Sequence, residues 1–230
     1  EIEILHQDED LIVVDKPPVL STIPRGRHVM QSVVVRLRAE LGLPELTPMH
    51  RLDRVTSGLL LLATERQWRG AYQSMFQDGG IEKRYRAIAP YREDLALPAT
   101  VRNHLTKQHG VMWAEVQPDL PPNSESIIEL VRELPAGTSL AAYPSLPEDD
   151  SDVRLAEYRL TPVTGKTHQL RIHLEGLGIP IVGDPLYPVE RDVAIDDFSI
   201  PLQLLASELR FVDPVDGRRR SFESDRALPL

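Results

Sequence analysis

The sequence predicts an α+β fold built on a mostly antiparallel sheet. Short apolar or alternating stretches outnumber helical ones, and strands do not alternate regularly with helices. No internal repeat is evident.

Taken in order, Asp10-Leu-Ile-Val-Val-Asp15 is a short apolar run stopped by Lys16-Pro17-Pro18, a buried strand entering a loop. From Gln31 to Leu41, Val34, Leu37, Arg38 and Leu41 fall at helical spacing, with Gly42 as the stop. Leu59 to Ala63 is too short and too uniformly apolar for an amphipathic helix, so it reads as a buried strand. Thr64 is placed to cap a helix running to about Asp78, with Trp68, Tyr72, Met75 and Phe76 along one core-facing stripe and Gly79-Gly80 ending it. Ile81 to Ala89 alternates, putting Lys83, Tyr85, Ala87 and Ala89 on one face of a strand. Further strands are expected at Val111–Val116, Ser126–Val131 and Val153–Leu160, with an acidic, proline-bearing surface loop over 134–152. Thr167 is placed to cap a short helix carrying Leu170, Leu174 and Leu177, ended by Gly178.

Composition narrows the chemistry. The absence of cysteine excludes disulfides, thiolate catalysis and Cys-based zinc sites. No apolar run reaches membrane-spanning length and no targeting signal is evident, so a cytoplasmic protein without a membrane partner is expected. The formal net charge is −9, but it is unevenly spread. Between Glu115 and Glu157 ten acidic residues face two arginines, which leaves the remainder near neutral with 24 of the 26 Lys and Arg. These occur in groups: Arg25 and Arg27, Arg36 and Arg38, Arg51 and Arg54, Lys83-Arg84 with Arg86, and Arg218-Arg219-Arg220. Phosphate binding needs local positive potential rather than a basic average, so an RNA partner is permitted, and a solvated surface is the plainer alternative.

Three stretches could carry chemistry. Gly165-Lys166-Thr167 ends like a phosphate-binding loop, but Leu160 stands where the first glycine is required and Pro162 removes an N–H from the cradle. His168 and His173 are five apart, so they do not share a helical face, and no cysteine or Glu-x-x-His pattern completes a metal shell. His50-Arg51-Leu52-Asp53-Arg54 places a carboxylate between two cations just before a strand, which favours its ionised, nucleophilic form; an ion-paired turn is the alternative. One carboxylate is also only half of what an ordinary glycosidase requires. Glu82-Lys83-Arg84-Tyr85-Arg86 sets one ring among basic side chains, suited either to stacking on a base or to packing.

In order, HRLDRVTSGLLLLA, EKRYRAIAP and LTPVTGKTHQLRIHLEGLGIPIVGDPLYP resemble the RluA family of RNA pseudouridine synthases. The opening EILHQDEDLIVVDKPPVLS and the closing LLASELRFVDPVDGR are similar to that family's first motif and final strand, so the likeness spans nearly the whole chain apart from the acidic loop.

The resemblance implies one pseudouridine synthase catalytic domain over 1–230, its sheet flanked by helices and loops around a central cleft. The sequence opens at Glu1 rather than Met, and any upstream RNA-binding domain is expected to lie outside it. The implied reaction detaches uracil from ribose C1′, rotates it and reattaches it through C5, without metal, nucleotide or redox cofactor. Asp53 matches the catalytic aspartate, Arg51 the residue that fills the stack vacated by the flipped uridine, Tyr85 the ring packed on the target base, and Arg171 the cation paired with the aspartate. The last pair lie 118 positions apart in the chain. The implied partner is ribosomal or transfer RNA, not DNA, and the implied state is a monomer. Lys83-Arg84-Tyr85 stands where many relatives have Lys-Thr-Tyr, Lys166 where they have Arg, and Leu204-Leu205-Ala206 where Leu-His-Ala is common. A non-catalytic RNA-binding member and a hydrolase that frees uracil are the competing readings.

Overall fold

Leu11–Lys16 (β2) and Ser57–Ala63 (β4) are buried along their whole length because both faces of each are covered. Leu11, Val13, Leu59, Leu61 and Ala63 join one apolar cluster, while Ile12, Val14, Leu60 and Leu62 join a second. That is why these strands read as continuous apolar runs rather than as alternation. The computed structural model describes residues 2–24, 31–108, 110–111, 113–135, 138, 153–188 and 201–228. Most of the acidic loop expected over 134–152 and the Arg25/Arg27 pair lie outside the described residues.

The chain divides into two compact units, one of residues 1–83 and 205–226, the other of 84–204 and 227–230. In the first, the strand order is Glu3–Gln7 (β1), β2, β4 and Leu204–Val212 (β11, whose first residue belongs to the second unit). Thr47–Pro48 (β3) pairs with β4, and Arg219–Glu223 (β12) pairs with β11. All of these pairs are antiparallel except β4 with β11. The parallel pair explains Gly58: at φ +107° any Cβ would sit 2.2 Å from the Ala206 carbonyl oxygen, so only glycine admits β11.

Helix Val33–Leu41 (α1) buries Val33, Val34 and Leu37 in the second cluster. Ser32 caps it through an Oγ that accepts from the Val35 amide, and Gly42 closes it in the left-handed conformation. Helix Arg69–Gln77 (α2), entered through a 3-10 turn at Arg66–Trp68, buries Tyr72 and Met75 in the first cluster. The aromatic stripe is therefore core, as its spacing predicts. Thr64 does not cap this helix: its hydroxyl donates to the Glu9 carbonyl instead, and the helical turn begins two residues later.

In the second unit the order is Ile81–Pro90 (β5, whose first three residues belong to the first unit), Leu155–Pro162 (β10), Ser124–Glu133 (β9) and Ala99–Asn103 (β6), with every pair antiparallel. Leu105–Thr106 (β7) and Glu115–Val116 (β8) form a separate short ladder. The strand expected over Val111–Val116 thus shrinks to two residues, because only Thr106 and Leu105 pair with it. Helix Gln169–Gly176 (α3) starts after His168, which is left-handed at φ 57° and gives no side-chain cap. Thr167 is not its cap either. Gln169 Oε1 accepts from the Lys166 amide and from Thr164 Oγ1, closing the strand-to-helix turn from the helix side.

Candidate active site

Asp53 lies in the loop between β3 and β4, half-buried, with Arg51 exposed beside it and Leu52 buried. Met49 continues the β3 pairing by donating to the Leu61 carbonyl, and the Thr56 amide donates to the Asp53 carbonyl to close a turn into β4. Both residues adjoining Asp53 are tied to the segment after β2. Thr22 Oγ1 donates to the Leu52 carbonyl at 2.9 Å and accepts from the Leu52 amide at 3.1 Å. Arg54 Nε donates to the Val19 carbonyl at 3.2 Å.

Lys16, fully buried, donates through Nζ to the carbonyls of Pro17, Leu20 and Arg54 at 3.0, 2.8 and 3.3 Å. Burial pushes its pKa down to about 7, against the opposing attraction of the Asp53 carboxylate. Three carbonyls match the three hydrogens of an ammonium, so the charged form joins the Lys-Pro turn to the Asp53 loop. In sequence this lysine reads only as the end of a strand; its polar partners come from residues up to 38 positions away.

His50 fixes the loop from the other side. Its Nε2 accepts the Leu61 amide at 3.1 Å, and its ring stacks on Phe76 with centroids 4.9 Å apart. Burial and the nearby Lys83 push its pKa down to about 3, consistent with a nitrogen whose lone pair is already engaged. In the second unit His173 is likewise held neutral, pushed down to about 4 by burial. Its Nε2 meets Asn103 Oδ1 at 2.9 Å, while its buried Nδ1 has no hydrogen-bond partner.

These two rings give a prediction whose sign is fixed. The unfolded chain binds protons at about pH 6.5 and the folded chain only near the lowered values, so stability falls as pH drops below about 6.5. Each ring should cost on the order of 1–2 kcal/mol between pH 7 and pH 5. Urea unfolding at the two pH values should show the loss, and His50→Gln should reduce the slope.

The other two expected site residues lie in the second unit. Tyr85 is half-buried on β5, paired with Leu160 of β10. Arg171, on α3, is buried and forms a two-point ion pair with Asp184, Nε to Oδ2 at 2.7 Å and Nη2 to Oδ1 at 2.5 Å. Asp184 Oδ1 also accepts from the amides of Leu186 and Tyr187, and the Tyr187 ring lies 5.2 Å from the Arg171 guanidinium carbon. The stretch Gly183-Asp-Pro-Leu-Tyr187 is therefore a loop folded around Arg171. An Asp in a Gly-Asp-Pro turn gives no sign of a partner 13 positions back.

The basic groups separate once their partners are seen. Arg220 is held by Asp8, Asp213 and Asp216, and Arg86 and Arg132 both bind Glu157. Arg36, Arg51, Arg218 and Arg219 are exposed. The Gly165-Lys166-Thr167 turn leaves Lys166 exposed, and no group of three metal-ligating side chains occurs among the described residues. No helix among them is long and apolar enough to cross a membrane.

Comparison with known proteins supplies the deciding observation. The family model for RNA pseudouridylate synthase matches residues 10–176. The chain belongs to that family. It is 30% identical over 224 residues to the dual-specificity RNA pseudouridine synthase RluA of Haemophilus influenzae, covering 97% of this chain and 92% of that one. It is 31% identical to RNA pseudouridine synthase 7 of Arabidopsis thaliana over 94% of its own length, but spans only 52% of that longer protein. Among solved structures it resembles human RNA pseudouridylate synthase domain containing 1, with a TM-score of 0.70 at 20% identity over 98% of this chain and 84% of that one. That likeness shows the fold. The chain is thus an RluA-type RNA pseudouridine synthase with the α+β, mostly antiparallel architecture the sequence predicts.

Proposed function

We propose that this pseudouridine synthase isomerises uridines in structured ribosomal or transfer RNA, using Asp53 as its catalytic carboxylate. The observation that carries the reading is the family match over 10–176, which contains Arg51, Asp53, Tyr85 and Arg171 in motif order. A relative named tRNA pseudouridine synthase C, from Vibrio cholerae, is 31% identical over 93% of this chain, which supports transfer RNA among the targets.

A stacked uridine is out of reach, so the nucleotide is flipped at a cost of about a few kcal/mol, with Arg51 entering the vacated position. Its exposure at the loop surface suits that role. Tyr85 packs against the extruded base, and Arg171 is the cationic residue that the family likeness assigns to the reaction. The N1–C1′ bond breaks, a C5–C1′ bond forms, and the hydrogen of C5 leaves as a proton while N1 gains one. The chain acts as a monomer in the cytoplasm, as a single catalytic domain, and requires no cofactor.

Transcripts of ribosomal and transfer RNA incubated with the protein should acquire pseudouridine. Free uracil would favour a hydrolase, and neither product a binding protein. RNA affinity should fall about tenfold or more between 50 and 200 mM salt, the response of about three phosphate contacts to counterion release. A flat titration would exclude an extended phosphate-binding surface.

A further inference from the structure

We propose that Thr22 is a positioning residue for the isomerisation, fixing the peptide that precedes Asp53. The proposal rests on Asp53 being the reacting carboxylate. Thr22 is buried, and its hydroxyl closes a reciprocal pair with Leu52, accepting from the amide at 3.1 Å and donating to the carbonyl at 2.9 Å. Both backbone groups of Leu52 are therefore directed by one side chain 30 positions earlier. A hydroxyl can do this because it donates once and accepts at the same oxygen.

Thr22 is itself anchored. Its carbonyl accepts from the Val34 amide at 3.3 Å, and that of Ser21 accepts from the Val33 amide at 2.8 Å, which seats the 21–22 segment on the first turn of α1. α1 in turn packs Val33, Val34 and Leu37 into the core beside β2 and β4. The chain of contacts thus runs from a packed helix, through Thr22, to the residue before Asp53. Lys16 reaches the carbonyl of the residue after it. Asp53 is set between two pinned neighbours, while its own carbonyl receives the Thr56 amide. A carboxylate on a loop needs such support, because displacement of about 1 Å from a reacting centre costs on the order of a hundredfold in rate.

The test compares Thr22→Val, which keeps the shape and loses both bonds, with Thr22→Ser, which keeps the hydroxyl. Measurements are kcat and KM for pseudouridine formation, RNA affinity, and thermal unfolding, with wild type and Asp53→Asn alongside. Thr22→Val is expected to lose about tenfold or more in kcat, with KM and RNA affinity within about twofold. Thr22→Ser is expected to keep at least about half of wild-type kcat. A purely structural role would instead lower the unfolding temperature without moving kcat well below it. The proposal fails if Thr22→Val turns over within about twofold of wild type, or if Thr22→Ser loses as much as Thr22→Val. Should Thr22→Val not fold, Thr22→Ala against Thr22→Ser gives the same contrast, and equal kcat in that pair overturns the idea. An active Asp53→Asn would sink the Asp53 reading itself, whatever Thr22 does.

Discussion

Asp53→Asn is expected to reduce pseudouridine formation at least about a thousandfold while leaving RNA affinity within about threefold of wild type. Asparagine keeps the size of the side chain and leaves the loop's backbone bonds available, including the Thr56 amide to the residue-53 carbonyl and the Thr22 pair at Leu52. What it removes is the negative charge, which every route through a carboxylate requires. A second readout follows from the same loop. Lys16 sits near pKa 7 because burial is partly offset by the Asp53 charge, so neutralising Asp53 should lower the Lys16 value further. NMR titration of the Lys16 ammonium in both proteins checks this. An Asn variant that turns over normally would contradict the assignment, and a Lys16 that titrates unchanged would mean that the Asp53 charge does not reach it.

Asp184→Ala is expected to destabilise the protein by about 3–5 kcal/mol, the range for breaking a buried ion pair from one side. The pair is almost fully shielded, with side-chain exposures of 2% for Arg171 and 1% for Asp184. Removing the carboxylate strips Arg171 of its two-point partner and takes the acceptor from the amides of Leu186 and Tyr187. The guanidinium cannot respond by losing its proton, so its desolvation is left poorly compensated. Exchanging the pair for apolar groups is a different operation. Asp184→Ala combined with Arg171→Met should therefore be more stable than Asp184→Ala alone, because no buried charge remains. Urea unfolding of the two variants decides the matter. A single variant within about 1 kcal/mol of wild type would mean the pair is better solvated than its burial indicates.

What could be read from the sequence follows the range of the interactions. Apolar runs and local spacing place β2, β4, β5 and both longer helices, because those signals are periodic and lie within a dozen residues. Helix starts are less legible. Thr64 and Thr167 both satisfy the local rule for a cap, yet one hydroxyl is taken by Glu9 and the other position is followed by a left-handed His168. The motif residues Arg51, Asp53, Tyr85 and Arg171 are found through a family likeness, and chain chemistry alone reads the Asp53 cluster more readily as an ion-paired turn. The supporting residues are hidden further. Lys16, Thr22, His50 and Asp184 reach across 38, 30, 11 and 13 positions respectively, and nothing local marks them. Charge grouping proves a poor guide in one respect: Arg220 sits in the most basic tripeptide yet is taken up by three carboxylates.

RNA carrying a hydrogen isotope at uridine C5 provides the most direct measurement, since joining C5 to C1′ must expel that atom to water. The prediction is label release by the wild-type protein, uracil retained in the RNA chain, and no release by Asp53→Asn. Uracil freed from the RNA, or label release that persists undiminished in Asp53→Asn, would contradict it.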